Sequence, residues 1–338
     1  MSNYLIRFAT LADVDGIMNF IQSHWKPNHI LAVDRSFFLY EYQDGNDINF
    51  ALGIDTMSNE IVGVCGFIKN SKERKGSDIW GSLWKVTKTA NPMLGIQILE
   101  FIPANTECRT FSSVGIATKT LPIYDFLRFK TNKLNHFYRL QNKEFYQVVN
   151  VVEKQIPAYV EDKKFELKRI TTFEEINASV FEDKSRFPHK DAWYIEKRYF
   201  NHPIYEYAVY AIASESMDSI IVTRTVRHNE TKILRIVDYI GDENQLKYLG
   251  SAFNQQIEVE NYEYIDFYCF GIAPQILEEC GFILNENNRK IIIPNYFEPF
   301  VAANTDLYFF NNCESDKFYV FKGDGDQDRP SIASPLSI

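Results

Sequence analysis

Two carboxylates and a histidine stand where their surroundings do not suit them, and that mismatch is the first guide to chemistry. In Leu234-Arg235-Ile236-Val237-Asp238-Tyr239-Ile240, the two-residue alternation of a β-strand puts Asp238 on the face of Leu234, Ile236 and Ile240. Asp266 repeats the problem inside Tyr264-Ile265-Asp266-Phe267-Tyr268. A carboxylate on an apolar face costs free energy unless it is paired. Two readings stay open for both: structural pairing with Arg224 or Arg235, or site groups of raised pKa that hold a sugar or accept a proton. His136, in Lys133-Leu134-Asn135-His136-Phe137-Tyr138, has the intrinsic pKa to deprotonate an ammonium group near neutrality, with a satisfied structural role as the alternative. His24 and His29, in Ser23-His24-Trp25-Lys26-Pro27-Asn28-His29, lack acidic companions, so no metal is expected there. Finally, Asn91-Pro92-Met93-Leu94-Gly95-Ile96 joins a proline at a helix start to a nearby glycine, which lets backbone N–H groups approach an anion closely.

The elements that must position these residues come in two sets. Ile6-Arg7-Phe8-Ala9-Thr10-Leu11-Ala12-Asp13 reads as a strand, a Thr cap and a helix start, and Leu167-Lys168-Arg169-Ile170-Thr171-Thr172-Phe173-Glu174 reads the same way. Further on, a strand ending in Gly115-Ile116-Ala117, a helix and Phe129 correspond to Gly271-Ile272-Ala273, a helix and Phe282. Ile6 matches Leu167 and Gly115 matches Gly271, offsets of 161 and 156 residues, so two separate anchors share one period. Between them lie meandering strands, Asn49–Ile54, Ile61–Ile68 and Ile79–Val86, answered by Ala208–Ile212, Ser219–Arg224 and Ile233–Ile240. The expected fold class is α+β (α/β): two tandem modules, each a mixed, mostly antiparallel sheet flanked by helices. The expected boundaries are 1–155 and 165–322, joined by a charged linker around Gln155–Lys164. A polar tail, 323–338, follows; its Asp-Gly run lacks the late Glu of a calcium loop.

Bulk composition bounds the function. Thirty-six Lys and Arg against 45 Asp and Glu give a formal charge of −9, which argues against a dedicated nucleic-acid binder. The five cysteines are widely spaced with no Cys-x-x-Cys pair, so free thiols in a reducing cytosol are expected. The opening Met-Ser-Asn-Tyr-Leu-Ile-Arg-Phe lacks the order of a signal peptide, and no apolar run approaches about 20 residues, so a cytoplasmic protein with no membrane partner is expected.

This order of elements, ending in Tyr124-Asp125-Phe126-Leu127-Arg128-Phe129, resembles the GNAT superfamily of acyl-CoA-dependent N-acyltransferases. That family's closing segment is Tyr-x-x-x-Gly-Phe; here Arg128 replaces the Gly, while Tyr124 and Phe129 stay in step. The second half has Gly281-Phe282 but Leu277 in place of the Tyr. The family's pyrophosphate loop, Gln/Arg-x-x-Gly-x-Gly/Ala, falls on Pro92 to Gln97, where Gly95 matches, Pro92 stands for Gln or Arg, and Gln97 replaces the last small residue. The matching loop of the second half, Gly241-Asp242-Glu243-Asn244, puts two carboxylates where a pyrophosphate would sit, so that half is expected not to bind CoA.

The resemblance implies acetyl-CoA or another acyl-CoA as co-substrate. Leu83, Trp84, Lys85 and Val86 would hold the carbonyl, Met93, Leu94, Gly95 and Ile96 the pyrophosphate, and Tyr124 would protonate the leaving sulfur. Trp80 and Trp84 read as one strand face, mainly core. His136, which follows the first half's closing segment, Asp238 and Asp266 are the candidate bases, and His24, His29 and Arg224 the candidate acceptor contacts. The chain is similar to tandem members of bacterial surface-polysaccharide pathways such as O-antigen synthesis, which implies a nucleotide-linked deoxyaminosugar as acceptor. No Cys or Ser stands in a nucleophile motif, so direct attack in a ternary complex is expected. The alternatives are an inactive sugar-binding or scaffold protein, and an aminoacyl-tRNA-dependent transferase, against which the acidic charge speaks. The oligomeric state is left open.

Overall fold

A computed structural model describes residues 4–73, 75–157, 165–213, 219–286 and 290–332. The chain divides into two compact units: Met1–Lys130 with Phe310–Cys313 and Gly325–Ile338, and Thr131–Phe309 with Glu314–Asp324. Of the stretch read as a linker, 158–164 lie outside the described residues. No described helix is long and apolar enough to cross a membrane.

The first unit runs β1 (Tyr4–Thr10), α1 (Val14–His24), α2 (Arg35–Tyr42), β2 (Asp47–Asp55), β3 (Ile61–Lys69), β4 (Asp78–Val86), α3 (Met93–Thr106), β5 (Thr110–Ile116) and α4 (Leu121–Phe126). Five strands of its sheet neighbour one another in the order β1-β2-β3-β4-β5, antiparallel except for the β4–β5 pair. Helix α3 lies close on this sheet because Gly53 and Gly63 face each other across β2 and β3. A Cβ there would fall 2.8 and 2.6 Å from Ile98 Cδ1. Leu94, Ile98, Leu99 and Ile102 of α3 are buried against Ala51, Cys65, Phe67 and Ile79.

In the second unit come β6 (Asn135–Leu140), β7 (Glu166–Ile170), β8 (Ala208–Ala213), β9 (Ile220–His228), β10 (Thr231–Ile240), α5 (Gly250–Val259), β11 (Tyr262–Phe270), α6 (Pro274–Glu279), β12 (Ile283–Leu284) and β13 (Val320–Phe321). The sheet order is β7-β8-β9-β10-β11-β6-β12, with β13 also on β11 and with β10–β11 parallel. Both units are thus mixed, mostly antiparallel sheets flanked by helices, two modules of one design.

Local chemistry repeats as well. Thr10 and Asp13 form a capping box after β1, and Thr172 and Glu175 form one after β7. Helices α4 and α6 each end with a left-handed residue, Arg128 at φ 62° and Gly281 at φ 85°. Each is followed by the same bond to the carbonyl five residues back, from Phe129 N to Tyr124 and from Phe282 N to Leu277. The fold therefore asks for glycine at 128 and finds arginine. Arg128→Gly is expected to raise stability by roughly 0.5–1 kcal/mol, the left-handed penalty less glycine's extra freedom when unfolded, read from the urea midpoint.

A bulge recurs at equivalent places. Cys65 pairs Trp84 while Phe67 pairs Gly81, so β4 carries one extra residue. Val222 pairs Asp238 while Thr223 pairs Ile236, so β10 does the same. One extra residue exchanges the two faces downstream of it. Two expectations are corrected by this. Trp84 joins the α3 side with Cys65 and Phe67 while Trp80 lies on the other face, and Asp238 leaves the face of Leu234 and Ile236, which Tyr239 takes instead.

Candidate functional site

In each unit the parallel ladder is short. The β4–β5 register runs from Asp78–Thr110 only to Trp80–Ser112, although β4 continues to Val86 and β5 to Ile116. The β10–β11 register likewise stops at Ile236–Phe267. Each sheet therefore carries an opening between its two parallel strands, and the residues at these openings decide what each unit can do.

At the first unit's opening, the three pieces expected from the sequence meet. Trp84 Nε1 donates to Gly95 O at 3.0 Å, and a Cβ on Gly95 would stand 3.3 Å from Trp84 Cζ2, so the glycine admits the indole against the start of α3. The Trp84 ring lies 6.1 Å from that of Tyr124, which is buried and stacks on Phe310 at 4.3 Å. Burial, opposed by a hydrogen bond with Thr120, pushes the Tyr124 hydroxyl up to about 12, so it keeps its proton at neutral pH. At the helix start, Asn91 Oδ1 accepts from Met93 N at 2.9 Å and Asn91 O from Leu94 N at 2.9 Å. Only Met93 N is held by a side chain, that of the exposed Asn91; Leu94 N is bonded to backbone. No acidic side chain stands in that first turn. Leu83 is buried, Lys85, Val86 and Ile96 are half-buried, and Met93 is exposed.

His24 and His29 play local parts. His24 is exposed and packs on Phe20, with ring centroids 4.9 Å apart. His29 Nδ1 accepts from Leu31 N at 3.3 Å and caps a short helix, Ile30–Val33. Burial, with Lys26 adding to it, lowers His29 from 6.5 to about 4. The folded-state pKa lies below the unfolded one, so this contribution to stability is present above pH 6.5 and is lost as the pH falls through 4. Between those limits the loss should be roughly 3 kcal/mol. His29→Asn keeps a capping oxygen without titrating, and its melting temperature should fall less between pH 7 and pH 4 than that of the parent.

The remaining candidates lie in the second unit and are engaged there. His136 sits in β6, paired with Tyr268 of β11, so it is not placed by the first unit's closing segment. Its Nε2 lies 3.5 Å from Asp266 Oδ2, and its ring stacks on Tyr268 at 3.8 Å. Burial, which outweighs Asp266, holds His136 below its ordinary value. Asp266 is cross-strand from Arg235, whose Nε and Nη2 reach it at 3.0 and 2.7 Å. Burial, the largest single influence, pushes this carboxyl up, but Arg235 and His136 together outweigh it and the net direction is down, against the raised pKa expected. Asp238 accepts from Lys190 Nζ at 2.6 Å, Tyr199 Oη at 2.6 Å and Tyr239 N at 2.8 Å. Its partner is therefore neither Arg224 nor Arg235, and Arg224 stacks on Tyr205 at 4.1 Å instead.

Sequence reasoning missed Lys190, Tyr199 and Asp324. Lys190 Nζ lies 2.7 Å from Asp324 Oδ1 as well, and all three members of this charge cluster are buried. Asp324 belongs to the segment read as a polar tail, 323–338, whose residues 323–325 are buried, as are 321 and 322 just before it. The stretch from Phe321 to Gly323 fills the second unit's opening: Phe321 pairs with Cys269 of β11, and Gly323 N donates to Val237 O of β10 at 2.6 Å. Asp242 and Glu243, the expected repellers of pyrophosphate, serve as a helix cap to Asn244 N and as partner of Arg186 and Tyr319 Oη.

No protein-family profile and no curated protein matches this sequence. Solved structures do resemble it. A GCN5-related N-acetyltransferase from Anabaena variabilis shares 11% identity over 91% of this chain and 72% of its own, with a TM-score of 0.55. A conserved Enterococcus faecalis protein of unknown function, described as a candidate N-acyltransferase, shares 9% identity over 91% and 72%, with a TM-score of 0.54. A candidate acetyltransferase of Pyrococcus horikoshii shares 11% identity over 94% and 92%, with a TM-score of 0.50. At such identities the likeness is one of fold.

Proposed function

We propose that the first unit is the catalytic half of an acyl-CoA-dependent N-acyltransferase, with acetyl the expected acyl group. The observation that carries this reading is the opening beyond Trp80 and Ser112, with Trp84, the Gly95 helix start and the protonated Tyr124 gathered beside it. Acyl-CoA would supply a thioester carbonyl to an acceptor amine. Met93 N–H, at a helix start free of carboxylates, would hold its pyrophosphate once the Asn91 side chain moves aside. The amine attacks the carbonyl, the C–S bond breaks, Tyr124 gives its proton to the departing thiolate, and the proton shed by the amine passes to solvent, from which Tyr124 is reprotonated.

The second unit, whose opening its own Phe321 and Gly323 occupy, supports the tandem design in which one half lacks a CoA site. The acceptor class, an amine on a nucleotide-linked deoxyaminosugar for polysaccharide synthesis, rests on the resemblance of the sequence to tandem enzymes of that kind. The close packing of Tyr124 on Phe310 favours a second reading, an inactive sugar-binding or scaffold protein.

Thermal shift with CoA and acyl-CoA, followed by thiol release against a panel of nucleotide-linked amino sugars, separates them. A catalytic first unit is stabilised by mass action and releases thiol with some acceptor. No shift at millimolar acyl-CoA would overturn the enzyme reading in favour of the scaffold. Stabilisation without thiol release from any panel member would overturn the acceptor class.

A further inference from the structure

The second unit has a cavity of its own that no step of acyl transfer uses. It measures about 380 Å³, within the roughly 300–1,000 Å³ of small-molecule pockets. Its walls come from residues 179–190, from the end of β10 with the turn that follows it, 239–243, and from residues 317–321. Gly241 makes that turn possible: it sits at φ 135°, where a Cβ would overlap Ser219 Oγ, so no side chain fits there.

The lining carries three carboxylates, Asp183, Asp242 and Glu243, and three cations, Arg186, Lys190 and Lys317. Lys190 is spent on the buried Asp238 and Asp324. The other five are interleaved by sign. Arg186 lies 3.9 Å from the Tyr319 ring with its Nη2 3.4 Å from Glu243 Oε2, and Tyr319 Oη donates to Glu243 Oε1 at 3.2 Å. Lys317 Nζ donates to Ser185 Oγ at 3.0 Å, and Ser185 N donates to Asp183 Oδ1 at 2.9 Å. Bonds with Ser185, with Lys317 and Arg186 adding to them, hold the Asp183 carboxyl below its ordinary value, so it is charged at neutral pH. Asp242 Oδ1 accepts from Asn244 N and Nδ2 at 3.0 and 2.9 Å, which leaves Oδ2 without a protein partner among the described residues.

Interleaved signs select against charge. A phosphate meets the carboxylates, an ammonium meets Arg186 and Lys317, and a zwitterion finds no side that is all of one sign. A hydroxyl suits every position, because it donates to a carboxylate and accepts from a guanidinium or an ammonium. Ser179 adds a hydroxyl to the wall whose Oγ is buried with no partner among the described residues, a polar atom left for an occupant to satisfy. We infer that this cavity is a binding site for an uncharged, polyhydroxylated ligand of the size of a sugar ring. The inference does not rest on the acyl-transfer reading, since every residue it uses belongs to the second unit.

Ligand-observed NMR titration of the whole chain tests it, with glucose, galactose, mannose and N-acetylglucosamine set against glucosamine, glucose 6-phosphate and serine. At least one neutral sugar should bind with a Kd of about 10 mM or tighter, and more tightly than every charged or zwitterionic compound in the set. Ser179→Ala and Asp183→Asn should weaken that sugar by about three- to tenfold, the usual loss for one hydrogen bond, and weakening by either places the ring in this cavity. The CoA thermal shift of both variants should stay at the parent value. No binding of a neutral sugar, or tighter binding of a charged or zwitterionic compound, would overturn the inference. So would a neutral sugar whose affinity neither variant changes, because that ring is held elsewhere; the acyl-transfer reading, which thiol release tests, would be untouched.

Discussion

Lys190→Met is expected to cost the second unit about 3–5 kcal/mol, the usual penalty for removing one partner of a buried ionic group. The single ammonium serves two carboxylates, Asp238 at 2.6 Å and Asp324 at 2.7 Å, all three side chains being 5% exposed or less. Burial already lifts Asp324 to about 6, so one cation does not fully compensate both acids. Methionine fills the same volume and leaves two uncompensated anions. The urea midpoint at pH 7 measures the loss. Adding Asp324→Asn to Lys190→Met should recover part of it, because one of the two stranded charges is gone. A Lys190→Met chain within about 1 kcal/mol of the parent would mean that water or a rearranged side chain already shields these carboxylates.

Tyr124→Phe is expected to have the other large effect, on rate rather than on stability. The ring keeps its 4.3 Å stack on Phe310 and loses only the hydroxyl, so unfolding should change by about 1 kcal/mol or less. If that hydroxyl protonates the leaving thiolate, kcat for thiol release should fall by about 10²-fold while the CoA thermal shift stays put. Unchanged turnover would remove Tyr124 from the mechanism and leave the thiolate to depart unassisted.

What could be read from the sequence was local. Capping boxes at Thr10 and Thr172, and the left-handed helix ends at Arg128 and Gly281, are set by neighbours a few residues away, so the two-module design shows in the spelling. Trp84, Gly95 and Tyr124 could be placed together because one strand–helix–strand–helix run carries them all. Alternation failed at Asp238 and at the Trp80–Trp84 pair because a bulge is an extra residue that the apolar pattern does not mark. Long-range partners failed for a different reason. Nothing in Pro188-His189-Lys190-Asp191 announces an ammonium bound for a strand 48 residues on, and nothing in an Asp-Gly run announces a buried carboxylate. His136 was assigned to the half it follows, because chain order cannot show that its strand pairs with β11.

The second unit treats its two ends unusually. The ends of a compact unit are ordinarily where fraying starts. Here β6, near the beginning, and β13, near the finish, both pair with β11, and Phe137 and Phe321 are 0% and 3% exposed. The entering and leaving chain is thus clamped on the middle of the sheet, and the loosest strand is sought elsewhere, at β7 on the edge, where four of five residues are not buried. Amide exchange in this unit should therefore run backwards from the common pattern, slowest near its own ends and fastest along β7.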